Sequence, residues 1–175
     1  MKLLLLFLFV YSCRACDVKF PNNTETTFHW WQCNSGPIQF FNATPYDSTG
    51  KNYEYPIHLG KPIVVKTDMF APHEYNTPSL RKTVTLWSWG GTNGCAWSTL
   101  PTFGLLKNID ACQDGIPCPV KPGRQNLNVV IDFTKYETII NMLKDNAPYQ
   151  LEYFLHDDKT KDEGCVLVQA RARIP

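Results

Sequence analysis

The stretch "YQLEYFLHDDKTKDEGCVLVQARARI", residues 149–174, carries the fold in its spacing. Tyr149, Leu151, Tyr153 and Leu155 fall on every second position, with Gln150 and Glu152 among the residues between them. A charged run, "HDDKTKDEG" (156–164), interrupts the pattern. Val166, Val168, Ala170, Ala172 and Ile174 then resume it. Side chains on an extended strand point to opposite faces in turn, so this reads as a hairpin with one apolar face. A lone hairpin cannot bury such a face and needs a second layer.

The rest of the chain supplies that layer. "GKPIVVKTDMF" (60–70) sets Ile63, Val65 and Met69 against Lys66 and Asp68, and "RKTVTLWSW" (81–89) sets Val84 and Leu86 against Trp87 and Trp89. "NLNVVIDF" (126–133) sets Leu127, Val129, Ile131 and Phe133 against Asn128 and Asp132. "FHWWQC" (28–33) and "PIQFFNAT" (37–44) are aromatic and β-branched, with a turn at Asn34-Ser35-Gly36. Short alternating runs separated by Gly, Pro and Asn turns predict an all-β sandwich of antiparallel sheets. One segment departs from this. In "KYETIINMLKDN" (135–146), Tyr136, Ile139, Ile140 and Leu143 fall at helical spacing, which predicts a short helix or an irregular crossover. Repeats, low-complexity tracts and linkers are missing, so residues 16–175 read as a single domain.

The N-terminus sets the compartment. "MKLLLLFLFVYSCRA" has one lysine, an apolar run too short to span a bilayer, and small side chains at Cys13 and Ala15. It reads as a secretory signal peptide, residues 1–15, which places the mature protein outside the cell or in the lysosomal lumen. Removing it takes away Lys2 and Arg14, leaving fifteen basic residues against sixteen acidic ones. That balance offers no basic stripe for nucleic acid. The sequons at Asn22 and Asn42 fall in polar stretches suited to glycosylated loops, whereas Asn76 is followed by Thr-Pro and is spoiled.

Six of the seven cysteines follow residue 15, and an even number in a secreted chain implies a disulfide framework. Within "CQDGIPCPVKPG" (112–123), five residues separate Cys112 from Cys118. The gap is not the Cys-x-x-Cys redox spacing, and His73 and His156 are too distant in sequence to complete a zinc site. The motif reads as a small disulfide-closed loop, with no metal and no cofactor. Enzyme signatures are missing too: there is no Gly-x-Ser-x-Gly, no His-Glu-x-x-His and no phosphate-binding glycine loop. His29, His58, His73 and His156 are scattered. Asp157-Asp158 lies in a charged turn, where solvated carboxylates are expected, and Asp110 and Asp114 flank the pinched loop as turn formers. No catalytic residue is expected.

Three features in order resemble the ML family of lipid-recognition domains. They are the early "FHWWQCNSG", the pinched "DACQDGIPCPVKPG" leading into a strand, and the final hairpin whose returning strand opens with Gly-Cys. The Cys-x5-Cys-Pro spacing is similar to that of the Niemann–Pick type C sterol-transfer protein, while "GIPCPVKPG" and the ending look closer to the lysosomal ganglioside activator. The resemblance implies an immunoglobulin-like sandwich whose two sheets part to hold lipid, with Cys33 paired to Cys165 and Cys112 to Cys118. Cys16 and Cys95 match neither pattern; they either bridge one another or leave one cysteine unpaired.

On that reading Ile63, Val65, Met69, Val84, Leu86, Val129, Ile131, Phe133, Leu151, Tyr153, Leu155, Val166 and Val168 line a lipid cavity. An ordinary filled core is the alternative, and alternation alone does not separate the two. In "LWSWGGTNGCAWSTLPTFGLL" (86–106), Trp87, Trp89, Trp97 and Phe103 suit a rim that touches a membrane, or else cover the sandwich edge. An acidic compartment would aid membrane contact if Asp110 and Asp114 lost their charge there. The expected partners are a lipid (a glycosphingolipid, phospholipid or sterol), a transient membrane surface and a lysosomal hydrolase. The expected role is that of a ganglioside-activator-like lipid-transfer protein. A sterol carrier is the rival within the family, and an extracellular adhesion or innate-recognition sandwich is the rival outside it.

Overall fold

The structure, a computed structural model, describes residues 16–91 and 94–175. The signal peptide assigned to residues 1–15 lies outside the described residues, as do Thr92 and Asn93 of the turn at 90–94. In chain order the strands are β1 (His29–Gln32), β2 (Gln39–Tyr46), β3 (Ile57–His58), β4 (Ile63–Ala71), β5 (Leu80–Trp89), β6 (Trp97–Thr99), β7 (Ile109–Asp110), β8 (Gly123–Ile131), β9 (Ala147–Asp157) and β10 (Glu163–Arg173). A 3-10 turn, Phe133–Tyr136, leads into the one-turn helix α1 (Glu137–Ile140).

The hairpin of residues 149–174 forms the middle of the larger sheet, whose order is β1-β10-β9-β5-β6, with β3 beside β10 and β7 beside β5. Its register aligns the apolar sets. Val166 lies opposite Tyr153, and Tyr153 opposite Val84. Val168 lies opposite Leu151, and Leu151 opposite Leu86. Directly opposed side chains on one face are the unit of sheet stabilisation, so these rows hold three strands in one register. The smaller sheet, β2-β4-β8, sets Val65 opposite Val129 and Ile63 opposite Ile131. The two apolar faces meet as a β-sandwich, all-β apart from the short helical segment.

Three details differ from the sequence reading. First, β3 runs parallel to the end of β10, with Ile57 beside Ala172, so the larger sheet is not purely antiparallel. Second, Asp157 is buried at 1% exposure. Its Oδ2 accepts from the Thr160 N–H at 2.7 Å, the Lys159 N–H at 3.2 Å and the Thr160 hydroxyl at 3.0 Å. The carboxylate satisfies turn donors that would otherwise be orphaned, which is why it sits inside while Asp158 stays exposed. Third, residues 97–110 form a broken strand along the β5 edge. The Leu100 N–H donates to Leu86 O and the Val84 N–H to Leu106 O, each at 2.8 Å. Between them residues 101–105 loop outward.

All six described cysteines are bonded: Cys33–Cys165 ties β1 to β10, Cys16–Cys95 ties the N-terminal segment to the turn before β6, and Cys112–Cys118 closes the pinched loop. That loop joins the two sheets along one flank. The Ala111 N–H donates to Leu80 O of β5, and the Val130 N–H of β8 donates to Gly115 O at 2.9 Å. Gly115 has φ 110°, and a Cβ there would collide with the Val130 carbonyl oxygen. Only glycine lets β8 approach this closely.

Candidate functional site

Between the sheets lies a cavity of about 130 Å³. Leu86, Leu151, Tyr153, Leu155, Val166 and Val168 line it from the larger sheet; Ile63, Val65, Met69, Val129 and Ile131 line it from the smaller. Phe133 closes it from the 3-10 turn. These are twelve of the thirteen positions read from the alternation. Val84 is the exception. It faces the interior but lines a second pocket of about 20 Å³ at the flank, beside Lys82, Leu106, Asp114, Tyr136 and Tyr153. The cavity also recruits Phe28, Phe40, Leu59, Tyr75, Leu80 and Val120, which lie at strand ends or in loops where alternation gives no signal. Ile116 joins them from inside the pinched loop. It is the one large apolar side chain between the two cysteines, and that contrast is the signal the sequence offered.

Polar atoms in this lining are few and mostly engaged. The Tyr75 hydroxyl donates to Asp162 Oδ2 at 2.7 Å, and the Thr67 hydroxyl donates to Leu127 O at 3.3 Å. The Tyr149 hydroxyl accepts from the Lys144 N–H at 2.6 Å and donates to its carbonyl at 2.9 Å. The Tyr153 hydroxyl, buried, has no partner among the described residues. Burial pushes the Tyr153 phenol far up, helped by the nearby negative charge of Asp114.

An ion pair at the flank escaped the sequence reading. Lys82 alternates with Val84 and Leu86 and so points inward; it is 4% exposed. Its ammonium lies 2.7 Å from Asp114 Oδ2, donates to the Asp114 backbone carbonyl, and sits 5.4 Å from the centre of the Tyr153 ring. Lys135 approaches the other Asp114 oxygen at 3.1 Å, and the Tyr136 hydroxyl donates to Asp114 at 3.3 Å. Burial lowers the Lys82 pKa, while Asp114 partly restores it. Burial opposes ionisation of Asp114, but the Lys82 and Lys135 ammonium groups outweigh it and hold the carboxyl below its usual range.

Asp110 behaves alike: burial is outweighed by the Thr77 hydroxyl at 2.6 Å and by the N–H groups of Gln113 and Cys112. The expectation that Asp110 and Asp114 lose their charge in an acidic compartment is therefore corrected, because both stay ionised there. Asp162 and Asp157 are also held low once hydrogen bonds overcome burial. A depressed carboxyl contributes stability that is present above its unfolded pKa, about 3.9, and lost as pH falls through the lower folded value. Melting temperature should accordingly fall only below about pH 4, with these four carboxylates adding no loss between about pH 7 and 5. A melt that dropped steeply already near pH 5 would contradict these assignments.

The rim candidates separate into two groups. Trp89 and Trp97 pack edge to face with ring centres 5.1 Å apart, and the Trp89 indole donates to Val18 O at 2.7 Å. Trp87 lies opposite Thr99, and all three tryptophans are half-buried. None of the three tryptophans lines the cavity, and Trp89 and Trp97 pack along the edge formed by β5, β6 and the N-terminal segment. The loop at 101–105 is different: Phe103 is 68% exposed and Leu105 46%. Asn22 and Asn42 are both exposed. Among the described residues the one group of three potential metal-ligand atoms is Cys33, Glu152 and Cys165, and its two sulfurs are bonded to each other.

No protein-family model matches the chain, and no curated protein matches it. Among solved structures, one that it resembles is a Niemann-Pick type C2 protein from the Japanese carpenter ant. The two are 14% identical, with a TM-score of 0.45, over 84% of this chain and 99% of that one.

Proposed function

We propose that the protein holds the apolar part of a lipid in this cavity, takes it from a membrane and presents it to an acceptor. One observation carries the reading: an interior space whose walls are apolar and whose polar atoms, Tyr153 apart, are turned into internal hydrogen bonds. An engineered cavity of about 150 Å³ with such walls stays dry and takes up apolar guests. Each methylene buried there is worth about 0.8 kcal/mol.

Pockets for larger, rigid ligands run to about 300–1,000 Å³. A slender chain suits a cavity of about 130 Å³, whereas a sterol ring system would require the sheets to part. This favours a ganglioside-activator-like role, with an acyl chain inside and a glycolipid headgroup left wet for a hydrolase, over the sterol carrier. Phe103 and Leu105 are the proposed point of membrane contact. Secretion into an oxidising extracellular or lysosomal space suits a chain with its described cysteines all in disulfides, and glycans are proposed at Asn22 and Asn42.

Val129→Trp tests the reading against a filled adhesion sandwich. Val129 is 8% exposed and faces the cavity across from Val65. The indole should fill the space, bring lipid uptake from vesicles to background and leave the melting temperature nearly unchanged. In a filled core the same overpacking costs about 1–3 kcal/mol. A large fall in melting temperature, with no lipid in organic extracts of the parent protein, would favour the adhesion reading.

A further inference from the structure

We propose that the glycan at Asn42 docks on its own protein: its core sugars lie against the exposed Phe41 and Phe70 rings and cover that part of the smaller sheet's outer face. The proposal rests on the glycosylation of Asn42 put forward above and gives that glycan a structural place. In β2 the two-residue alternation breaks. The register with β4 shifts between Phe40, which pairs with Met69, and Asn42, which pairs with Asp68, leaving Phe41 without a partner. A bulge of this kind re-aims side chains. Phe40 and Ala43 line the cavity, while Phe41 and Asn42 come out in succession on the exposed side.

Phe41 is 44% exposed. The Arg124 guanidinium sits 4.3 Å from the centre of its ring and is itself held by Asp68 at 2.7 Å, which fixes the ring in place. Phe70, 37% exposed, lies two positions beyond Asp68 on β4, diagonally across from Asn42. Such diagonal neighbours are about 7–8 Å apart, within reach of an aromatic ring or a long substituent. The Asn42 carbonyl oxygen accepts from the Thr44 hydroxyl at 3.4 Å, and its amide nitrogen engages no protein acceptor among the described residues. The Asn22 amide, by contrast, donates to Gln169 Oε1 at 2.7 Å. The C–H face of a pyranose ring is apolar and slightly electropositive, so it stacks on the electron-rich face of an aromatic ring. Position names the occupant. A glycan on Asn42 is tethered beside both rings and docks without the loss of translational freedom that a separate partner incurs.

Thermal melts of the parent and of Asn42→Gln test the docking. Each is made twice, as a glycoprotein secreted from eukaryotic cells and in a bacterial periplasm, which forms disulfides but adds no glycan. Among the glycoproteins the parent should melt about 2–4 °C above Asn42→Gln, the response of a domain of this length to one aromatic stacking contact. The bacterial pair should melt alike. With Phe41→Ser and Phe70→Ser both present, Asn42→Gln should shift the glycoprotein no more than the bacterial form. The full shift surviving in that background overturns the docking while leaving the glycan in place. So does the absence of any shift when glycopeptide mapping shows Asn42 occupied. An unoccupied Asn42 overturns the docking and the glycosylation together. A dimer of the glycosylated parent that Phe70→Ser dissolves gives the face to a second copy and overturns the proposal.

Discussion

Replacing Cys33 and Cys165 by serine should leave the protein close to unfolded, while the same change at Cys112 and Cys118 should leave it folded but weaker. The first bridge spans 132 residues and the second 6. In the loop-entropy model those closures are worth roughly 5 and 2 kcal/mol. A domain stable by about 5–15 kcal/mol survives the smaller loss and is at risk from the larger. Local structure sharpens the contrast. β1 is a four-residue edge strand held to β10, and the Cys33 N–H adds one hydrogen bond to Cys165 O at 3.0 Å. The pinched loop, by comparison, keeps the Ala111–Leu80 and Val130–Gly115 hydrogen bonds when its sulfurs are gone. Urea unfolding followed by circular dichroism reads both variants. A Cys112/Cys118 variant less stable than the Cys33/Cys165 variant would overturn the ranking.

Lys82→Met should cost about 3 kcal/mol, the lower end of the range for breaking one side of a buried ion pair. The lower end applies because Asp114 keeps Lys135 and the Tyr136 hydroxyl after the ammonium is lost. The cost arises mainly from the carboxylate left behind. Adding Asp114→Leu to the same chain should therefore recover much of it, since two apolar groups can replace a buried pair with little net change. Thermal melts of the two single variants and the double variant give the coupling directly. Strict additivity would mean that Lys82 and Asp114 do not hold the pinched loop against β5.

The layers of the sandwich were legible because burial on one face imposes a two-residue period. That period was visible wherever a strand ran long enough to repeat it, as in β4, β5, β8, β9 and β10. Where the run was two or three residues, as in β3, β6 and β7, no period could accumulate and the strands were missed. Lys82 was passed over for another reason. Its charge argues for solvent, and only the partner Asp114, 32 positions away in the pinched loop, makes the inward face tolerable. Asp157 was read as solvated on the same ground, and backbone donors three positions on keep it inside.

The sequence by itself determined the alternation, the cysteine inventory and the glycine at position 115, because each is a local requirement of strand geometry, redox chemistry or backbone sterics. The tertiary structure alone decided that a cavity lies between the inward faces, and that Trp89 and Trp97 pack edge to face beside the N-terminal segment. It alone left the Tyr153 hydroxyl without a partner among the described residues. Those outcomes depend on how far apart two sheets come to rest and on which side chains meet across them, and period-two alternation carries no information about distance in that direction.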